Sequence, residues 1–166
     1  MKNNIVLIGM PGVGKSSVGV VLAKILGYRF VDSDLLIQEQ EGKLLCDIME
    51  EKGLEGFIDV ENRVNASIEC EKCIIATGGS VIYGEKAMEH LKEIGTVLYL
   101  KADYESINDR VGNLKGRGVA LKDGQTLKDL YDERTPLYEK YADITVDENG
   151  CKSVSDTISR IMEKLQ

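Results

Sequence analysis

Gly9-Met10-Pro11-Gly12-Val13-Gly14-Lys15-Ser16-Ser17 fits the pattern G-x-x-x-x-G-K-[ST], and it stands between the apolar run Ile5-Val6-Leu7-Ile8 and a helical pattern, the setting a phosphate-binding loop requires. A strand that turns sharply into a helix through glycines leaves several backbone N–H groups unpaired and aimed at one point, where a polyphosphate accepts them. Gly12, Val13, Gly14, Lys15, Ser16 and Ser17 are therefore expected to hold a nucleotide, with Lys15 as a point charge for the β and γ phosphates and the Ser16 hydroxyl as a ligand for Mg²⁺. An ordinary glycine-rich turn needs no lysine there, because the helix dipole disfavours a cation at a helix start.

Working outward, Val18, Val21, Leu22, Ile25 and Leu26 recur at the spacing of one helical face, which Gly27 ends. A short strand over Tyr28 to Val31 then delivers Asp32-Ser33-Asp34. Carboxylates two apart at a strand end point to the same side. Next to the loop, they are placed to divide Mg²⁺ and acceptor-hydroxyl duties; the alternative is a turn in which Asp34 caps the next helix. Residues 35 to 68 read as a helix broken near Gly42, a short helix from Asp47 to Lys52, and a helix from Leu54. Phe57, Val60, Val64 and Ile68 form its buried stripe, and Ile58, Glu61, Asn62 and Asn65 a second face of the kind that is usually solvated.

A third strand, Cys73 to Ala76, ends in Thr77-Gly78-Gly79-Ser80, whose glycines let a ligand approach the backbone closely. A helix over Glu85 to Glu93 precedes a fourth strand, Thr96 to Leu100, and then a helix with Tyr104, Ile107, Val111 and Leu114 in phase and Arg110 beside them. The segment Lys115 to Gly124 has glycine and charge without periodicity and reads as a lid, with Arg117 at its tip as a cation for a transferring phosphoryl group. In the next helix Leu127, Leu130, Tyr131, Tyr138 and Tyr141 share a stripe with Arg134. Arginine on a core-facing stripe has to find an anion or a carboxylate, because burying it unpaired is costly. Pro136 is expected to kink or restart that helix. A fifth strand, Asp143 to Asp147, and a last helix capped by Ser153 with Val154, Ile158, Ile161 and Leu165 inward complete the chain.

Strands alternating with helices over 166 residues, without repeat or linker, give one α/β domain in three layers around a parallel sheet. A net charge of −7 disfavours nucleic acid as a partner and leaves any anionic ligand to a few local cations. The apolar runs are of strand length, so no membrane span is expected, and a cytoplasmic enzyme is. Cys70 and Cys73 have zinc-like spacing but no second pair, and with His90 the single histidine, Cys46, Cys70, Cys73 and Cys151 read as reduced structural thiols.

These landmarks together resemble the shikimate kinases, monomeric P-loop enzymes of the nucleoside-monophosphate-kinase-like group. The likeness spans nearly the whole chain: the phosphate loop, Asp32-Ser33-Asp34, Phe57 with Glu61, Thr77-Gly78-Gly79, Gly116-Arg117 and Glu133-Arg134-Thr135-Pro136-Leu137-Tyr138. The resemblance implies sheet order 2-3-1-4-5, a lid over about residues 114–124, acceptor-binding helices over about 34–68, ATP on the loop, and Mg²⁺ held by Ser16 with Asp32 nearby. It implies that Asp34 and the Gly78-Gly79 turn receive the acceptor's hydroxyls and Arg134 its carboxylate, with Ile58 and Glu61 among the acceptor-binding positions. Arg117 would act from the lid, and Arg110 and the loop near Cys151 would flank adenine. The family pattern F-R-x-x-E and T-G-G-G is here Phe57-Ile58-Asp59-Val60-Glu61 and Thr77-Gly78-Gly79-Ser80, and Gly118 stands where proline is usual. Ile58 thus occupies the position of an arginine that would share the carboxylate, a loss of about 1.5–3 kcal/mol of charge-assisted hydrogen bonding. Ile58 and Ser80 motivate a second possibility, phosphoryl transfer to another small hydroxylated metabolite. A nucleotide-binding regulator without turnover is a third, against which the complete set Lys15, Ser16, Asp32, Asp34 and Arg117 speaks.

Overall fold

Apolar residues at consecutive rather than alternate positions mark a strand covered on both faces, and Ile5 to Ile8 obey this. In the computed structural model, which describes residues 2–111 and 119–166, all of β1 (Asn4–Ile8) is buried. It is the central strand of a five-stranded sheet in the order β2-β3-β1-β4-β5, with β2 Arg29–Asp32, β3 Cys73–Ala76, β4 Gly95–Lys101 and β5 Ile144–Asp147. Every pairing is parallel, in registers such as Val6 with Ile75 and with Val97. The expected fold class and strand order are both borne out. Parallel pairing requires crossovers, which helices supply: α1 Lys15–Leu26, α2 Ser33–Glu41, α3 Leu45–Ala66, α4 Glu85–Ile94, α5 Tyr104–Arg110 and α6 Leu127–Tyr141; α7 Val154–Leu165 follows β5 and packs beside α1.

Most apolar side chains join one core around the sheet. A second, smaller cluster of Ile37, Leu45, Ile48, Phe57, Val60, Val64 and Ala120 ties α2 and α3 to the segment that precedes α6. Three local expectations need correction. The face that α1 buries is Val18, Gly19, Leu22 and Ala23, whereas Val21 and Ile25 are 39% and 54% exposed. The cause is closeness: a Cβ on Gly19 would come within 2.7 Å of the Phe30 ring, so the helix rolls its smallest side onto the sheet. In α7 Thr157 turns inward with Ile158 and Ile161, and Val154 turns out. Pro136 leaves α6 continuous, because Arg134 and Tyr138 anchor the helix on either side of it, donating to Ala120 O and Gly79 O at 3.0 and 2.6 Å. The break expected between Lys52 and Leu54 is a kink at Gly53 (φ 72°, ψ 179°) inside α3. All four cysteines are free thiols, with Cys73 buried in β3.

Candidate active site

The loop between β1 and α1 enters the helix through Gly14, which caps it in the left-handed region (φ 85°, ψ 29°), a conformation that costs a Cβ-bearing residue strain. This bend turns Lys15 inward. Lys15 is 8% exposed and donates through Nζ to Gly9 O and Met10 O at 2.7 and 2.9 Å, and burial lowers its pKa to about 8. The Ser16 hydroxyl lies on the open side and donates to Asp32 Oδ2 at 3.0 Å. A hydroxyl beside a carboxylate is the hard-oxygen pair that Mg²⁺ takes while keeping phosphate and water for its other positions, so the residues present fit that ion. Asp32 also caps α2, its Oδ1 accepting from Asp34 N at 3.0 Å. The capping duty allowed for Asp34 therefore belongs to Asp32, and the Asp34 side chain is left for the cleft.

That cleft is a cavity of about 450 Å³ running from the phosphate loop to the end of β3. Its wall includes Gly12, Gly14, Lys15, Ser16 and Ser17 from the loop, and Asp34, Glu61, Gly78, Gly79, Ser80, Arg110 and Arg134. It thus gathers residues from sequence positions more than a hundred apart. The Gly78-Gly79 turn is glycine for want of space: a Cβ on Gly78 would meet Asp34 Oδ1 at 2.7 Å and Glu61 Oε2 at 2.9 Å, and one on Gly79 would meet Arg134 Nη1 at 2.8 Å. Burial is the main cause that raises Asp34 to about 6, with the neighbouring Asp32 adding to it and Lys15 opposing. Glu61 is raised to about 7, burial again leading and the Ser80 hydrogen bond opposing. The face of α3 expected to be solvated is therefore not so: Glu61 and Asn65 are buried, because α4 and the turn after β3 pack over it.

Arg134 is 1% exposed. One of its Nη groups donates to Ala120 O, its guanidinium carbon lies 5.5 Å from the centre of the Tyr83 ring, and Nε finds no partner among the described residues. No ion pair links it to a carboxylate among the described residues, so the internal salt bridge that would have neutralised it is not what holds it. A buried guanidinium held only by a carbonyl and a ring face, with Nε unpartnered among the described residues, keeps its charge available to a ligand.

Ile58 is half-buried on α3 and is not among the residues lining the cavity; Arg63 is turned away onto Glu41 at 2.7 Å. Val13 lies under the loop and lines a second cavity of about 250 Å³ with Arg110, Glu148 and Cys151, which adjoins the first through Gly12 and Gly14. Arg117 and residues 114–118 of the expected lid lie outside the described residues. Three contributors escaped the sequence reading. Tyr138, one helical turn after Arg134, holds the Gly79 carbonyl; Tyr83 backs the guanidinium; and Glu148, 6% exposed, meets Arg110 at 3.4 Å and accepts from Thr157 at 3.3 Å. Only Tyr138 left a signal, its place on the stripe of Arg134.

The Shikimate kinase family model matches residues 11–166. The shikimate kinase of Persephonella marina is 35% identical over 98% of this chain and 99% of its own, and that of Vibrio cholerae serotype O1 is 35% identical over 98% and 97%. The solved structure of shikimate kinase from Acinetobacter baumannii in complex with shikimate superposes with a TM-score of 0.87 at 33% identity, covering 99% of this chain and 93% of that one. With a phosphate loop, a buried guanidinium and paired carboxylates at the same sheet edge, and with likeness over the whole length, the chain belongs to the shikimate kinase family.

Proposed function

We propose that the chain transfers the γ-phosphoryl group of ATP to a hydroxyl of shikimate, giving ADP and shikimate 3-phosphate. The observation that carries this reading is Arg134: a fully buried guanidinium with no carboxylate partner among the described residues, sharing one cavity with Lys15 and with the carboxylates of Asp34 and Glu61. An acceptor bearing one carboxylate and adjacent hydroxyls fits that arrangement, its carboxylate at Arg134 and its hydroxyls toward Asp34 and Gly78-Gly79. The acceptor oxygen forms a bond to the γ-phosphorus as the bond to the β–γ bridging oxygen breaks, and the hydroxyl proton passes to Asp34. Raised to about 6, Asp34 is ionised at neutral pH and still basic enough to accept it. Lys15 holds the β and γ phosphates, and Arg110 with the wall near Cys151 holds the base. Arg117 is expected to supply charge from the lid. Ser16 and Asp32 would hold Mg²⁺, which would supply neutralising charge to the phosphates.

The test is ADP release with MgATP and a panel of small hydroxy acids. Saturable turnover with shikimate is the expected result; turnover with another alcohol alone would move the acceptor, and none on any acceptor would remove the activity. Asp34→Asn should abolish transfer while sparing ATP affinity measured by calorimetry. Surviving transfer would leave Asp34 without its role.

A further inference from the structure

Ser80 lies at the start of the 3-10 turn Val81–Tyr83, is 4% exposed, and donates its hydroxyl to Glu61 Oε1 at 2.6 Å. Glu61 is itself 2% exposed, and its other oxygen, Oε2, has no partner among the described residues. That oxygen and Asp34 Oδ1 approach the same point beside Gly78, at 2.9 and 2.7 Å from where a Cβ would stand. A buried carboxylate whose single fixed partner is a hydroxyl is oriented by it: one oxygen is tied and the other is aimed at the cleft.

We infer that Ser80 is a positioning residue of the acceptor site, fixing Glu61 so that Oε2 stands beside Asp34 as the acceptor of a substrate hydroxyl. This rests on reading the cavity as the acceptor site. Glu61 faces Asp34 from α2, Arg134 from α6 and Lys15 from α1. The two cations favour its charged form, and burial and Asp34 oppose it. The hydroxyl of Ser80 adds to the cations, since a hydrogen bond donated to a carboxylate stabilises the anion. Without it Glu61 binds its proton at higher pH and at neutral pH presents fewer free acceptor lone pairs. The Ser80 bond thus does for Glu61 what a cationic neighbour would do, at the short reach of a side chain of two heavy atoms.

Two measurements on the full chain decide this. Titration of the Glu61 carboxyl by carbon NMR in Ser80→Ala should show the proton held to a pH about one unit higher than in the wild type, the size of one charge-assisted hydrogen bond. Steady-state kinetics of the same variant at pH 7 should show KM for shikimate raised about tenfold, with kcat changed less and KM for ATP unmoved. In a Glu61→Gln background Ser80→Ala should add no further rise. An unmoved titration, a joint rise in both Michaelis constants, or an equal penalty in the Glu61→Gln background would overturn the role of Ser80. Wild-type enzyme that ignores shikimate would instead remove the acceptor reading, and the titration would still decide whether Ser80 governs Glu61.

Discussion

Burial of Lys15, Asp34 and Glu61 around one cavity pulls each toward its neutral form: the lysine falls to about 8 and the acids rise to about 6 and 7. For Glu61 the consequence for stability has a definite sign. Its folded value lies above the ordinary 4.5, so between those limits the native state binds more protons than the unfolded chain, and stability falls as pH rises from about 4.5 to 7. Above that window the charged, buried carboxylate costs on the order of 3 kcal/mol. Glu61→Gln should therefore raise the melting temperature at pH 8 and flatten its dependence between pH 4.5 and 7, which thermal unfolding across that range will show. An unchanged profile would mean that the Glu61 carboxylate is compensated in the folded state. At this scale the placing of Lys15, Ser16 and Asp32 together could be read from sequence, since motif type and spacing bring them to the start of α1 and the end of β2. The burial of Glu61 could not, because a polar stripe on a helix carries no mark of what packs over it.

At the scale of the element, α3 and α6 both contribute to the cavity wall, through Phe57 and Glu61 and through Arg134. The kink at Gly53 holds φ 72° and ψ 179°, a region open to glycine alone, and it redirects the chain so that Phe57 and Glu61 reach the cleft while Leu45 and Ile48 stay in the smaller core. Gly53→Ala should lower the unfolding free energy by about 1–3 kcal/mol, measured as an earlier urea midpoint at constant slope. A midpoint equal to that of the wild type would show that α3 straightens without loss. In α6 the stripe of Leu127, Leu130, Arg134 and Tyr138 was legible, and it placed an arginine among buried residues at the cavity wall. The phase of α1 was not, because Gly19 and Ala23 carry little hydrophobicity yet sit closest to the sheet.

Across the whole molecule, β1, β2 and β3 run parallel and end at one edge, so the phosphate loop, Asp32-Ser33-Asp34 and Thr77-Gly78-Gly79 meet there although they lie far apart in sequence. A ligand bound across that edge ties separate crossovers together and stabilises the fold by mass action. MgATP at about a hundred times its dissociation constant should contribute about 2.7 kcal/mol and raise the melting temperature by several degrees, whereas Lys15→Ala should blunt the shift. No shift with wild-type protein would contradict nucleotide binding at this edge. No helix among the described residues is long and apolar enough to cross a membrane. The sequence by itself determined the phosphate loop, the alternation of strand and helix and hence the parallel sheet, because glycine spacing and apolar periodicity are local and survive without neighbours. Tertiary structure alone decided that Asp32 rather than Asp34 caps α2, that Glu61 is buried beneath Ser80, and that Arg134 meets a carbonyl and a ring instead of a carboxylate. Those outcomes depend on which distant side chain arrives at a given point, and burial and partner are properties of that arrival.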